Sequence, residues 1–226
     1  MTDRLYKRIF KIDIKNYTRN QLDDIGIFIH FDETDLTNAS ILIVGPEDTP
    51  FEGGYYIFKV KFPENYPFKA PAVHFCSIGG TRIHPNLYVG GKVCLSILGT
   101  WAGPSWTSAM DISIIAKTIQ SLMSKHAIQN EPGYQFETGV KSKNYDSVIT
   151  YTNVKDYIIT QVVYASKNRS YGFEKCILEH FNKKKLLERI DKLKKICPEE
   201  DEIFIDLYSI KSTINYKYLE KMACDI

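Results

Sequence analysis

The sequence predicts an α+β protein, and three observations carry that expectation. Between about residues 25 and 76, four runs of β-branched and aromatic residues are separated by turn residues. An apolar stripe at helical spacing precedes these runs, and a second one follows them. Past residue 165 apolar residues recur at helical spacing among many lysines. Strands joined in sequence form a four-stranded antiparallel meander, which flanking helices cover, with a C-terminal helical extension beyond.

The first helix is expected over about 3–11. Leu5, Ile9 and Ile12 fall on one side, while Arg4, Lys7, Arg8 and Lys11 give the other a basic face. The strands follow at 25–31, with Ile25, Ile27, Ile29 and Phe31 alternating, and then at 41–44, 55–62 and 72–76. A buried helix over 111–123 carries Ile112, Ile115, Ile119 and Leu122 on one stripe. The stretch 145–164 supplies the remaining core helices.

Lys167-Asn168-Arg169-Ser170 reads as a polar joint, so the expected domains are a core over 1–165 and a helical extension over 166–226. In the extension, Phe173, Ile177, Phe181, Leu187, Ile190 and Leu193 mark one long amphipathic helix over 173–196, which Pro198 ends. Glu199, Glu200, Asp201 and Glu202 then place negative charge where the N-terminus of a further helix is stabilised by it. Ile203, Leu207 and Ile210 continue its apolar stripe. There is no internal repeat and no low-complexity linker.

Composition narrows the classes open to the chain. Its 226 residues, 44% hydrophobic and 25% charged, are enough to bury a core and ordinary for a soluble protein. No apolar run approaches the roughly 20 residues of a membrane span. Met1-Thr2-Asp3-Arg4 opens a charged stretch rather than an apolar leader, so a cytoplasmic or nuclear location is expected. A formal charge of +2 is too small to argue for nucleic acid. Cys76, Cys94, Cys176, Cys197 and Cys224 form an odd set with no C-x-x-C pair, which points to reduced thiols rather than disulfides or a zinc site. Abundant Tyr, Ile, Lys and Asn point to an AT-rich genome, such as that of a large virus or a parasite.

The chemistry concentrates between Ile83 and Leu98, where Cys94 follows the His84-Pro85-Asn86 turn by eight residues. Pro85 fixes its own φ and pushes His84 towards an extended conformation, so the turn is stiff and can aim an amide at the sulfur. A thiol beside a placed donor suits acyl transfer through a thioester, because the donor meets the negative charge that develops on the carbonyl oxygen. Gly90-Gly91-Lys92-Val93 is a turn and not a phosphate loop, since no Ser or Thr follows the lysine. His30, His74, His126 and His180 are scattered and have no assigned role.

With these landmarks in order, the chain resembles the ubiquitin-conjugating enzymes. His84-Pro85-Asn86 and Cys94 resemble their active site, and Pro63-Glu64-Asn65-Tyr66-Pro67-Phe68-Lys69-Ala70-Pro71 looks like their P-x-x-Y-P-F-x-x-P segment. Gly45-Pro46 and Phe51-Glu52-Gly53-Gly54 precede it as in that family, and Trp106-Thr107-Ser108-Ala109 occupies the place of its W-S-P-A loop. The run from Val93 to Trp101, with Gly103-Pro104 before the second tryptophan, narrows the resemblance to the Z-type and BIR-associated branches.

The resemblance implies the ubiquitin-conjugating fold and a set of roles. Cys94 would accept ubiquitin, or a ubiquitin-like modifier, from an activating enzyme as a thioester. It would then pass the modifier to a substrate lysine or to a ligase. Asn86 would stabilise either the loop or the oxyanion, and His84 would brace the turn rather than act as a base. Glu131, in the loop after the helix that follows the active site, would meet the incoming lysine. Phe68, Thr107, Ser108, Lys7 and Arg8, with Lys11 beside them, match positions that meet ligases. Ser108 stands where the family has proline, a departure that bears on which ligases are recognised. No metal or nucleotide cofactor is implied, and no nucleic-acid or membrane partner. Two other classes stay open: a non-catalytic adaptor of the same fold, and a Cys-His hydrolase, for which no base is identifiable.

Overall fold

The computed structural model of the chain describes residues 3–197 and 202–226. They fall into two compact units, Met1–Val44 with Tyr56–Ser77 and Asn86–Leu122, and Gly45–Tyr55 with Ile78–Pro85 and Met123–Ile226.

The first unit opens with α1 (Asp3–Arg8), which continues through a π-helical segment (Ile9–Ile14) into α2 (Lys15–Arg19). The helical stretch is thus longer than expected, and its inward face differs. Leu5 and Ile9 are buried, but Ile12 is exposed and Asp13 takes the inward place. The π winding closes i→i+5 hydrogen bonds, so the inward position after Ile9 arrives one residue late.

The expected meander is present, with β1 (Ile27–Phe31), β2 (Asn38–Val44), β3 (Tyr55–Lys61) and β4 (Ala72–Phe75) in that order. Ile29 faces Ile41 across the antiparallel β1–β2 pair, and Val60 faces Val73 across β3–β4. β1 begins later than expected because Ile25 is exposed at the end of a 3-10 turn, closed by Gly26 at φ +75°. That left-handed conformation costs glycine nothing. Ile41, Leu42 and Ile43 are all buried, so both faces of β2 are covered.

α3 (Ile112–Leu122) packs against β2 and buries Ile112, Ile115 and Ile119. Its start is fixed twice. The Asp111 carboxylate accepts from the amides of Ser113 and Ile114, a local N-terminal cap. Asp13, entering from the first helical stretch, accepts from the Ile112 amide at 3.0 Å and from the Tyr66 hydroxyl at 2.5 Å. Burial pushes the Asp13 carboxyl up to about 6, while these two hydrogen bonds pull it down.

The second unit is mainly helical. α4 (Val140–Thr152), a π-helical segment (Asn153–Thr160) and α5 (Gln161–Ser166) follow one another directly. α6 (Glu174–His180), α7 (Lys183–Ile196), β5 (Glu202–Ile205), β6 (Ile210–Thr213) and α8 (Tyr216–Cys224) complete it. α6 packs on α5, with Ile177 and the preceding Phe173 buried, while α7 and β5 lie against α4. An ion pair between Arg189 and Glu52 at 2.5 Å ties α7 to the Gly45–Tyr55 stretch.

Two expectations for the extension are corrected. The single helix over 173–196 is two helices, because Asn182 takes φ −132° and its side chain accepts from the Lys185 amide, starting a new helix. The restart resets the inward face, so Leu186, Ile190 and Leu193 are buried while Leu187 is exposed. The further helix carrying Ile203, Leu207 and Ile210 is instead a β-hairpin. Ile203 and Ile205 point inward, Glu202 and Phe204 outward, and Ile205 pairs with Ile210, while Leu207 falls in the turn. The expectations on Pro198, Glu199, Glu200 and Asp201 lie outside the described residues.

Candidate active site

Cys94 sits where the chain returns beside β4. Isolated bridges pair His74 with Lys92 and Leu87 with Val93, and the Phe75 amide donates to the Gly91 carbonyl at 2.8 Å. Gly91 has φ +87°, and a Cβ there would lie 1.9 Å from the His74 ring, so only glycine fits this close approach.

Asn86 and Cys94 are joined by two reciprocal bonds. The Cys94 amide donates to the Asn86 carbonyl at 2.9 Å, and the Asn86 side-chain Nδ2 donates to the Cys94 carbonyl at 2.7 Å. In this state the Asn86 amide therefore braces the Cys94 peptide. An oxyanion role requires it to turn from that carbonyl towards the sulfur. Cys94 itself is 1% exposed, so its sulfur presents almost no surface.

Thr100, which the sequence reading did not single out, grips both sides of Cys94. Its Oγ1 donates to the Val93 carbonyl at 2.7 Å and accepts from the Leu95 amide at 2.9 Å. The intervening chain turns back through a 3-10 segment (Ser96–Leu98) that ends at Gly99, φ +68°. A Gly-Thr pair a few residues after the cysteine was the only available signal.

The positions expected to meet partners are in the same unit. Phe68 is 65% exposed, with the Arg4 guanidinium 5.1 Å from its ring centroid. Thr107 and Ser108 are exposed, and the Trp106 indole donates to the Pro67 carbonyl at 2.7 Å, joining their loop to the one carrying Phe68. Lys7 is exposed and pairs with Asp3. Arg8 is committed internally, donating to the Met110 carbonyl at 2.7 Å and lying 5.5 Å from the Tyr66 ring. Lys11 is exposed beside Phe10, which is itself 65% exposed.

His84 and Glu131 belong to the second unit. His84 is fully buried, its ring 5.9 Å from that of Phe51, a placement that suits a brace. Glu131 follows a 3-10 turn (Ala127–Asn130), and its carboxylate accepts from the Tyr208 hydroxyl at 2.5 Å. The Arg82 guanidinium carbon lies 3.9 Å from the Tyr208 ring centroid, and Arg82 donates to the Pro85 carbonyl at 2.5 Å. Tyr208 and Arg82 also escaped the sequence reading, since nothing local marks either.

Comparison with known proteins addresses the family directly. Residues 9–155 match the family model described as ubiquitin-conjugating enzyme. Ubiquitin-conjugating enzyme E2 Z of Homo sapiens is 44% identical over 133 residues, covering 58% of this chain and 38% of that protein. The dual E2 ubiquitin-conjugating enzyme/E3 ubiquitin-protein ligase BIRC6 of Mus musculus is 36% identical over 176 residues, 71% of this chain and 4% of that one. A putative ubiquitin-conjugating enzyme, E2 38 of Arabidopsis thaliana, is 34% identical over 160 residues, 69% of this chain and 49% of its own length. The chain thus spans about two fifths of the E2 Z protein it matches.

Proposed function

Since the chain belongs to the ubiquitin-conjugating enzyme family, we propose that it carries ubiquitin, or a ubiquitin-like modifier, as a thioester on Cys94. The Cys94 thiolate attacks the modifier's C-terminal carbonyl on the activating enzyme; the new C–S bond forms as the old one breaks and the activating enzyme's thiolate leaves. A substrate amine then attacks the same carbonyl, forming C–N, breaking C–S and returning the Cys94 thiolate, while the amine's proton passes to solvent. Alternatively a ligase cysteine takes the modifier. Glu131 serves the incoming lysine, Asn86 either the loop or the oxyanion, and His84 the turn. Phe68, Thr107, Ser108, Lys7 and Arg8 are the proposed ligase-side contacts, Arg8 acting mainly by fixing the first helical stretch.

The observation that carries this reading is the reciprocal Asn86–Cys94 pairing within a segment that matches the family. It supports the reading because a donor-bearing side chain lies beside the cysteine proposed to carry the modifier. The burial of Cys94 favours a second reading, a non-catalytic adaptor of the same fold, because charging requires a movement that exposes the sulfur.

One experiment separates the two. The chain is offered a panel of activating enzymes with ubiquitin and related modifiers, and reductant-sensitive adducts are sought. Charging of the wild type, none for Cys94→Ala and a reductant-resistant oxyester for Cys94→Ser are expected. No adduct with any enzyme favours the adaptor.

The proposal also includes a core over 1–165, an extension over 166–226 and residence in the cytoplasm or nucleus. Truncation at Ser166 tests the boundary: Cys94 charging by a folded product supports it, and an insoluble product merges the extension with the core. Microscopy of a tagged chain tests the location, and accumulation in the secretory pathway would refute it. Among the described residues no helix is long and apolar enough to cross a membrane.

A further inference from the structure

Tyr208 lies outside every motif behind the proposed function, yet its side chain meets two groups that bear on the site. Its hydroxyl donates to Glu131 Oε2 at 2.5 Å. Its ring carries the Arg82 guanidinium at 3.9 Å, and Arg82 Nη2 donates at 2.5 Å to the carbonyl of Pro85, the middle residue of the His84-Pro85-Asn86 turn. Tyr145, fully buried, fixes the arginine from its other end: its hydroxyl donates to the Arg82 carbonyl at 2.9 Å, and its ring lies 6.3 Å from that of Tyr208.

The backbone at this point is costly. Tyr208 and Ser209 take φ of +66° and +50° in the turn between β5 and β6, a left-handed conformation that bulky residues avoid. Such strain persists where the surroundings over-determine it, and it clusters at functional positions. Glycine or asparagine would make the same turn more easily. What they lack is a ring to hold Arg82 and a hydroxyl to hold Glu131.

We propose that Tyr208 is a positioning residue for transfer to lysine: its hydroxyl aims the Glu131 carboxylate and its ring holds Arg82 against Pro85, so that the C-terminal hairpin sets the geometry of that step. The proposal rests on the reading of Glu131 as the carboxylate that meets the incoming lysine. It divides one side chain into two jobs. The hydroxyl acts through Glu131 on the amine, and the ring holds Arg82 at the Pro85 carbonyl.

The test uses the full chain, charged with modifier by an activating enzyme and then chased with free lysine or with hydroxylamine. Hydroxylamine is neutral at pH 7 and needs no carboxylate to pair with an ammonium group. Tyr208→Phe keeps the ring, so charging and hydroxylamine discharge should stay close to wild type while lysine discharge slows about tenfold. Glu131→Gln should slow lysine discharge at least as much, and the double variant should be no slower than Glu131→Gln alone, because residues acting as one unit are not additive. Tyr208→Ala, which also removes the ring against Arg82, should slow charging as well.

Equal slowing with lysine and hydroxylamine, or additive effects in the double variant, would overturn the positioning role. Wild-type lysine discharge by Tyr208→Phe would overturn it too. If Tyr208→Phe lowers the melting temperature, Glu131→Gln, which leaves the ring in place, still reads the pairing through the lysine-to-hydroxylamine ratio. A wild-type chain that cannot be charged overturns the proposed function itself, an outcome distinct from all of these.

Discussion

Cys94 and Glu131 are held in opposite ways. Asn86 and Thr100, eight positions before and six after, fix the peptide groups around Cys94 by hydrogen bonds to main-chain atoms. Glu131 is held at the carboxylate itself, by a hydroxyl that the chain supplies 77 residues later. A local main-chain cradle sets where a residue sits and leaves its functional atom to chemistry. A remote side-chain grip sets where the functional atom points, and changes elsewhere in the fold can alter it. The extension is therefore expected to tune the lysine step more than the charging step.

The sharpest way to break the comparison is Asn86→Ala. If the amide also serves the oxyanion, charging persists while discharge to lysine falls about 100 to 1,000-fold, measured by single-turnover chase. Equal losses in both steps, with a lower melting temperature, would make Asn86 purely part of the cradle. Thr100→Val probes the cradle alone. Its bonds to the main-chain groups of Val93 and Leu95 are worth about 1 kcal/mol net each, so a melting temperature lowered by several degrees and charging slowed roughly threefold are expected. Unchanged melting and charging would show that Thr100 holds nothing.

The smallest effect sharpens the comparison from within the first unit. Asp13, like Glu131, is a carboxylate gripped by a distant tyrosine hydroxyl, here that of Tyr66. Burial raises its folded pKa to about 6 from the ordinary 3.8, so the folded state binds the proton more tightly than the unfolded state does. The stability linked to this group is then fully present below about pH 4 and is lost as pH climbs through about 6. Asp13→Asn, which keeps the acceptor for Tyr66 and Ile112, should gain on the wild type in melting temperature across that window. Lysine discharge should not change, since this grip serves packing. A pH-independent difference between the two proteins would reject the assignment.

What the sequence disclosed depended on how local each cause was. The meander was legible because Ile27, Ile29 and the paired runs repeat with period two over few residues. α3 was legible because Ile112, Ile115 and Ile119 keep helical spacing, and the Asn86–Cys94 pair because a fixed spacing carries it. The hairpin at β5–β6 was missed since Ile203, Leu207 and Ile210 satisfy helical spacing as readily as Ile203 and Ile205 satisfy alternation. The break at Asn182 was hidden in an apolar pattern that continued past it. Asp13 displaced Ile12 through π winding, which composition does not announce. Tyr208 acts on residues far away in the chain, and no window around it could have shown that.

The near-complete burial of Cys94 has a consequence for covalent pharmacology. Cys224 is exposed and Cys176 half-buried, whereas Cys94 is enclosed. Thiol alkylation follows access as well as thiolate character, so an electrophile screen scored on intact mass will first collect ligands for the α8 terminus, for α6 and for the half-buried Cys76. Compounds selective for Cys94 will emerge only when adducts are mapped by peptide, because the enclosed sulfur is outcompeted by more open thiols.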